Sequence, residues 1–129
     1  IVSFLQPRWS DNYRRWELAN QTSTEIASLI QIHGREIFTD ASLEEERLRA
    51  VERLDEAYLA ANAIDLGYLS ASNSELPVMY SRYFVEALSL WNEGFSSKSP
   101  EKIAEGIFNY NEFLLWMQSQ DRSDFKPLR

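Results

Sequence analysis

The sequence predicts an all-α fold, an antiparallel up-down-up-down four-helix bundle in which helices 1 and 2 are longer than 3 and 4. Three observations carry this. Apolar residues recur at three- and four-residue steps through most of the chain. Four Gly and four Pro in 129 residues are too few for the many tight turns of an all-β fold. Start and stop signals cut the periodic stretches into four segments with short connections, which favours antiparallel neighbours. A chain of this length is a single domain, residues 1–129, and with 44% hydrophobic and 13% aromatic residues it has the composition of a folded one.

The first helix is predicted over about 10–38. Ser10 and Asp11 are both competent N-caps. Trp16, Ala19, Ser23, Ile26, Ala27, Ile30, His33 and Ile37 form its inward stripe. Gly34 is a candidate stop, but Ile37 keeps the period, so continuation is preferred to a loop over 35–40.

The second helix, over about 43–70, is the stretch the rest is expected to pack around. Ser42 and Glu45 have capping-box spacing. Glu44, Glu45 and Glu46 sit in the first turn, where the helix dipole favours acids. Leu48, Val51, Leu54 and Tyr58 make a narrow stripe in its charged first half; the second half is apolar nearly all round and calls for several neighbours.

The third helix is predicted over 75–93, with Ser74 as cap, Pro77 in the first turn and Gly94 as stop. Its buried face is Leu76, Tyr80, Tyr83, Phe84, Ala87, Leu88 and Trp91. The fourth is predicted over 100–120, opened by Ser99-Pro100-Glu101. Ile103, Ile107, Tyr110, Leu114 and Met117 make its main line; Ala104, Phe108, Phe113, Leu115 and Trp116 widen it.

Charge narrows the function classes. A net charge of -7 argues against a general nucleic-acid binder, which needs a basic face. The absence of Cys excludes disulfides, thiolate metal sites and Cys nucleophiles. The cations concentrate at the ends: Arg8, Arg14 and Arg15 near one, Arg122, Lys126 and Arg129 near the other. An up-down-up-down bundle brings both ends to one pole, where these six crown a candidate membrane-surface contact. The opening IVSFLQPRW has no initiator Met and has two readings: a frayed first turn packing Phe4 and Trp9 on the bundle, or the stub of an amino-terminal membrane anchor with the arginines on the cytoplasmic side.

Length gives an interface expectation. At about 1.5 Å per residue the first two helices reach roughly 40 Å and the last two about 30 Å. The tip carrying Ile32, Ile37, Phe38, Leu43 and Leu48 should overhang and, with the broad apolar surface of the fourth helix as the alternative, support a homodimer.

No motif names a chemistry. The single His33 precedes Glu36, the reverse of the Glu-x-x-His order of a dimetal bundle, so no metal, cofactor or catalytic residue is assigned. The polar group best placed to act is Asp65 with Asn62, both in the apolar half of the second helix. Arg14, Arg15 or Arg82 would neutralise it; alternatively Tyr58, Tyr68 and Tyr83 floor a small-ligand pocket around it. The function expected is a non-enzymatic interaction module, the soluble domain of a membrane-anchored protein. The other reading is a small-ligand-sensing four-helix bundle of a receptor-like protein, an analogy of architecture.

Overall fold

The computed structural model describes the backbone of residues 2–120 and the side chains of residues 11–120. The protein is all-α, with no strand among the described residues. Helix α1 runs Val2–His33, and the short α2 (Glu36–Thr39) and a 3-10 turn (Ala41–Leu43) lead into α3 (Glu44–Asn62). After a turn at 63–65 comes α4 (Leu66–Ser72), then α5 (Leu76–Met79), which passes through a π-helical stretch (Tyr80–Val85) into α6 (Glu86–Ser97). Helix α7 is Pro100–Ser119.

Helix α1 stops at His33, five residues earlier than predicted. Gly34 takes φ +56, the left-handed conformation that closes a helix, and its N–H donates to the Ile30 carbonyl at 2.8 Å. The chain turns there, so Ile37 points inward at 3% exposure and Phe38 packs on Phe95 with ring centroids 6.0 Å apart. The period that Ile37 extends is real, but it belongs to a separate turn. Ser42 does not cap α3, whose N-cap Leu43 makes no side-chain hydrogen bond; Asp40 caps the 3-10 turn before it, its Oδ1 accepting from the Ser42 N–H and hydroxyl at 2.9 and 2.7 Å.

The stretch expected at the centre is itself broken. Helix α3 ends at Asn62, and Asp65 restarts the chain as the N-cap of α4, accepting from the Gly67 N–H at 2.7 Å. The most enclosed rod is instead Leu76 to Ser97. Tyr80, Phe84, Leu88, Trp91 and Phe95 are all at most 2% exposed, because α3 covers one side of this rod and α7 another. The rod also outlasts its expected stop: Gly94 lies inside α6, and Lys98, at φ 56, makes the left-handed turn that ends it.

Neighbouring rods run antiparallel. Arg53 pairs with Glu25 and His33 Nε2 lies 3.4 Å from Glu46, fixing α1 against α3. Asn92 donates to the Val51 carbonyl and to Asp55, and Tyr80 donates to the Ala61 carbonyl, fixing α3 against the rod of α5 and α6. Trp91 stacks near Tyr110 and Phe84 near Phe113, fixing α6 against α7. Asn12 of α1 meets Asp65, and Asn73 meets Gln120 just beyond α7, so α1 and the end of α7 both contact the residues flanking α4.

Two glycines let α6 and α7 approach. A Cβ on Gly106 would meet Trp91 Cδ1 at 2.5 Å, and one on Gly94 would meet Ile103 Cδ1 at 2.6 Å. The Trp91 indole N–H donates to the Ile103 carbonyl at 3.3 Å across this contact.

Candidate docking face

Helices α1 and α7 stand on either side of an apolar groove of about 210 Å³, lined by Ile30, Gly34 and Ile37 on one wall and by Phe95, Ile103, Ala104 and Ile107 on the other. The groove exists because α1 ends at Gly34 while α7 begins at Pro100, so the two termini face each other with α2 folded between them. Arg35 also lines the groove.

The groove continues onto the outer face of α7. Phe108 is 62% exposed and Leu115 59% exposed, and with exposed Ala104 they follow one another at four- and seven-residue steps. Half-buried Ile107 and Leu114 join this line to the core side. The expectation that Phe108 and Leu115 widen the buried face is therefore corrected: α7 is covered by α6 and the π stretch through Ile103, Gly106, Tyr110 and Phe113, and nothing among the described residues covers the opposite side.

An acidic edge borders the apolar line. Glu101, Glu105 and Glu112 lie seven and three residues before, and four after, Phe108, so they are its neighbours on the helix surface. None of the three forms a salt bridge among the described residues, whereas Glu93 on α6 holds Lys102 at 3.0 Å and raises its pKa.

The tip residues expected to overhang do not form one surface. Ile37, Phe38 and Leu43 fold into or against the core, and Ile32 (74% exposed) and Leu48 (51% exposed) remain outside. The cause is again Gly34, which turns the hairpin end back over α6 instead of letting it project.

Asp65 is exposed and its carboxylate serves as a helix cap; no ion pair to Arg14, Arg15 or Arg82 occurs among the described residues. Arg14 lies 3.8 Å from Asp11, and Arg82 sits 5.4 Å from the Tyr83 ring centre. Arg15 donates to the Ala63 carbonyl and to Asn12, closing the end of α3. A polar cleft does exist beside Asp65, lined by Asp11, Asn12, Arg15 and Ala63. Tyr58, Tyr68 and Tyr83 do not line it, and Asn62 is exposed outside it. Burial raises the pKa of Tyr68, consistent with a place in the core.

The expected basic crown falls mostly outside the described residues: Arg122, Lys126, Arg129 and the side chain of Arg8 are not described, and neither are the side chains of Phe4 and Trp9. No helix of the described residues is long and apolar enough to cross a membrane. Among those residues there is also no group of three or more His, Asp or Glu that could hold a metal ion. Comparison with protein-family models, curated proteins and solved structures yields no match.

The broad apolar surface of the fourth helix, the alternative interface in the sequence, is the signal for the α7 face. An apolar sector wide enough to include both Ile103 and Phe108 exceeds what a helix packed on one side can bury. The glutamates flanking Phe108 mark which edge of that sector faces water.

Proposed function

We propose that the chain is a non-enzymatic interaction module, built as an up-down-up-down four-helix bundle of α1, α3, the α5–α6 rod and α7, that docks another protein on the α7 face and the adjoining groove. The observation that carries the reading is the solvent-exposed pair Phe108 and Leu115 in line with an apolar groove. Large apolar side chains exposed singly are ordinary, but a row continuous with a concave apolar surface is the form of a helix-binding site. Covering the exposed parts of Phe108 and Leu115 would contribute about 1–2 kcal/mol each.

The antiparallel pairs Glu25 with Arg53, Asn92 with Asp55 and Trp91 with Tyr110 support the bundle arrangement. Self-association through the hairpin tip has weaker support than the α7 face, since Ile37, Phe38 and Leu43 are already engaged.

A selection of displayed random peptides against the intact chain tests the reading. Enriched peptides should lose binding to a Phe108→Ser/Leu115→Ser variant of unchanged fold. Peptides that bind that variant as tightly as the parent would reject this face.

A further inference from the structure

We infer that the occupant of the α7 face is a basic amphipathic helix of a partner protein; this rests on the docking reading above and adds the partner's chemistry. Ala104, Phe108 and Leu115 span twelve residues, about 16 Å of helix, which matches three turns of a partner helix carrying apolar anchors at three- and four-residue steps. Shape alone leaves the partner's charge open. The border of the strip decides it.

On the outer edge stand Glu101, Glu105 and Glu112, none of them in a salt bridge among the described residues, although the charge of Glu105 adds to that of Glu93 in raising the pKa of Lys102. On the α1 side Ile30 and Gly34 line the groove, and the exposed helix neighbours of Ala27, seven residues before Gly34, are Asn20, Thr24 and Gln31, all uncharged. Exposed Arg35 also lines the groove and is the one cation there among the described residues, with exposed Glu36 next to it in the chain. A helix laid along the strip therefore meets three carboxylates along one side and, apart from Arg35, neutral side chains on the other. Lysine or arginine on its flank would lie along the apolar edge with the head groups at the glutamates.

The same border disfavours a second copy of this chain. An antiparallel two-fold pairing of α7 on α7 sets the same edge of each copy side by side, so the three carboxylates of one copy would crowd the same three of the other. An acidic helix meets the same obstacle.

The experiment uses two synthetic peptides of about 18 residues with identical leucine positions, one with lysine and one with glutamate at every other site, titrated into the full chain by fluorescence anisotropy at low salt. The lysine peptide should bind at least about tenfold tighter than the glutamate peptide, and raising salt to about 0.3 M should narrow the gap. Glu101→Gln/Glu105→Gln/Glu112→Gln should weaken the lysine peptide about tenfold, whereas Glu45→Gln/Glu52→Gln/Glu56→Gln on α3, with the same change in net charge, should weaken it less than about twofold. Phe108→Ser/Leu115→Ser should weaken whichever peptide binds.

Equal binding of the two peptides, or equal effects of the two triple variants, overturns the basic partner. The docking reading survives that result if Phe108→Ser/Leu115→Ser still weakens binding. Indifference of both peptides to that double variant, or no binding of either at about 100 µM, overturns the inference and the docking reading together. A light-scattering mass of a dimer that Phe108→Ser/Leu115→Ser reduces to a monomer would instead make the occupant a second copy.

Discussion

The guanidinium of Arg47, on α3, donates through Nη1 to the main-chain carbonyl of Phe95, in the last turn of α6, at 2.5 Å. Arg47 is only 5% exposed, and its Nη2 holds Glu44 at 2.6 Å. A buried charge thus closes the carboxyl end of the most enclosed helix, where the dipole favours a cation and the final carbonyls lack partners within the helix. Replacing Arg47 by Met keeps much of the volume but strands the Phe95 carbonyl. We expect a loss of about 2–3 kcal/mol in urea unfolding, larger than for any exposed arginine such as Arg49. A loss below about 0.5 kcal/mol would mean that water reaches the carbonyl as well as the arginine does.

The same contact fixes a pH dependence. The hydrogen bond from Arg47 holds the Glu44 carboxyl below its ordinary pKa of 4.5 in the folded protein. A depressed folded pKa contributes stability above the unfolded value, and the contribution disappears as pH falls through the folded one. Wild type should therefore exceed Glu44→Gln in stability near neutral pH, with the difference shrinking as the pH is lowered below 4.5. A difference that grows on acidification would contradict this assignment.

The two kinds of glycine respond differently to alanine. At Gly106 the added methyl would collide with the Trp91 ring, and the indole bond to the Ile103 carbonyl would break as the ring moves. The gain in helix propensity, about 1 kcal/mol, is outweighed by overpacking and the lost bond, so Gly106→Ala should destabilise by about 1–3 kcal/mol and alter tryptophan emission. At Gly34 nothing lies within 4 Å of the methyl, but φ is +56. Gly34→Ala should cost about 1 kcal/mol, from the backbone alone, with the emission spectrum unchanged.

How much of this was legible in the residues follows from what periodicity measures. It locates apolar faces, and so the long helical runs and α7 in particular, which starts after Ser99 and runs Pro100–Ser119 with the Ser99 hydroxyl accepting from the Lys102 N–H. It does not see where the axis turns. Ile37 stays in phase with α1 across Gly34, and Leu66, Tyr68 and Leu69 stay in phase with α3 across the Asp65 cap, so two breaks were hidden inside continuous patterns. Because Asp65 sits at a helix start rather than inside one, its carboxylate is exposed and the ligand reading built on its burial loses its premise. Arg47 was missed for the opposite reason: in a run of charges it reads as solvated, and only the position of Phe95 in space reveals its partner.

Position on α7 should separate packing from docking. Phe113 is 1% exposed and its ring lies 5.3 Å from Phe84, so Phe113→Ala should cost about 3–5 kcal/mol. Phe108 is 62% exposed and touches the core little, so Phe108→Ser should stay within about 0.5 kcal/mol of wild type. Comparable losses at the two positions would place Phe108 in the core and remove the basis for a docking face.

Asn12 offers the last test, at the pole where α1 meets the α3–α4 turn. It is 1% exposed, and its Oδ1 accepts from the Asp65 N–H at 3.0 Å and from Arg15 at 3.4 Å. Asp65 in turn caps α4, so one buried amide and one exposed carboxylate hold the turn from opposite sides. Asn12→Leu leaves the Asp65 N–H without its acceptor and should cost about 1–3 kcal/mol. Asp65→Asn keeps a competent cap and should be nearly neutral, whereas Asp65→Ala should lose about 1 kcal/mol. If Asp65→Asn proved as damaging as Asp65→Ala, the negative charge itself would matter, and the ion-pair reading of Asp65 would return in place of the cap.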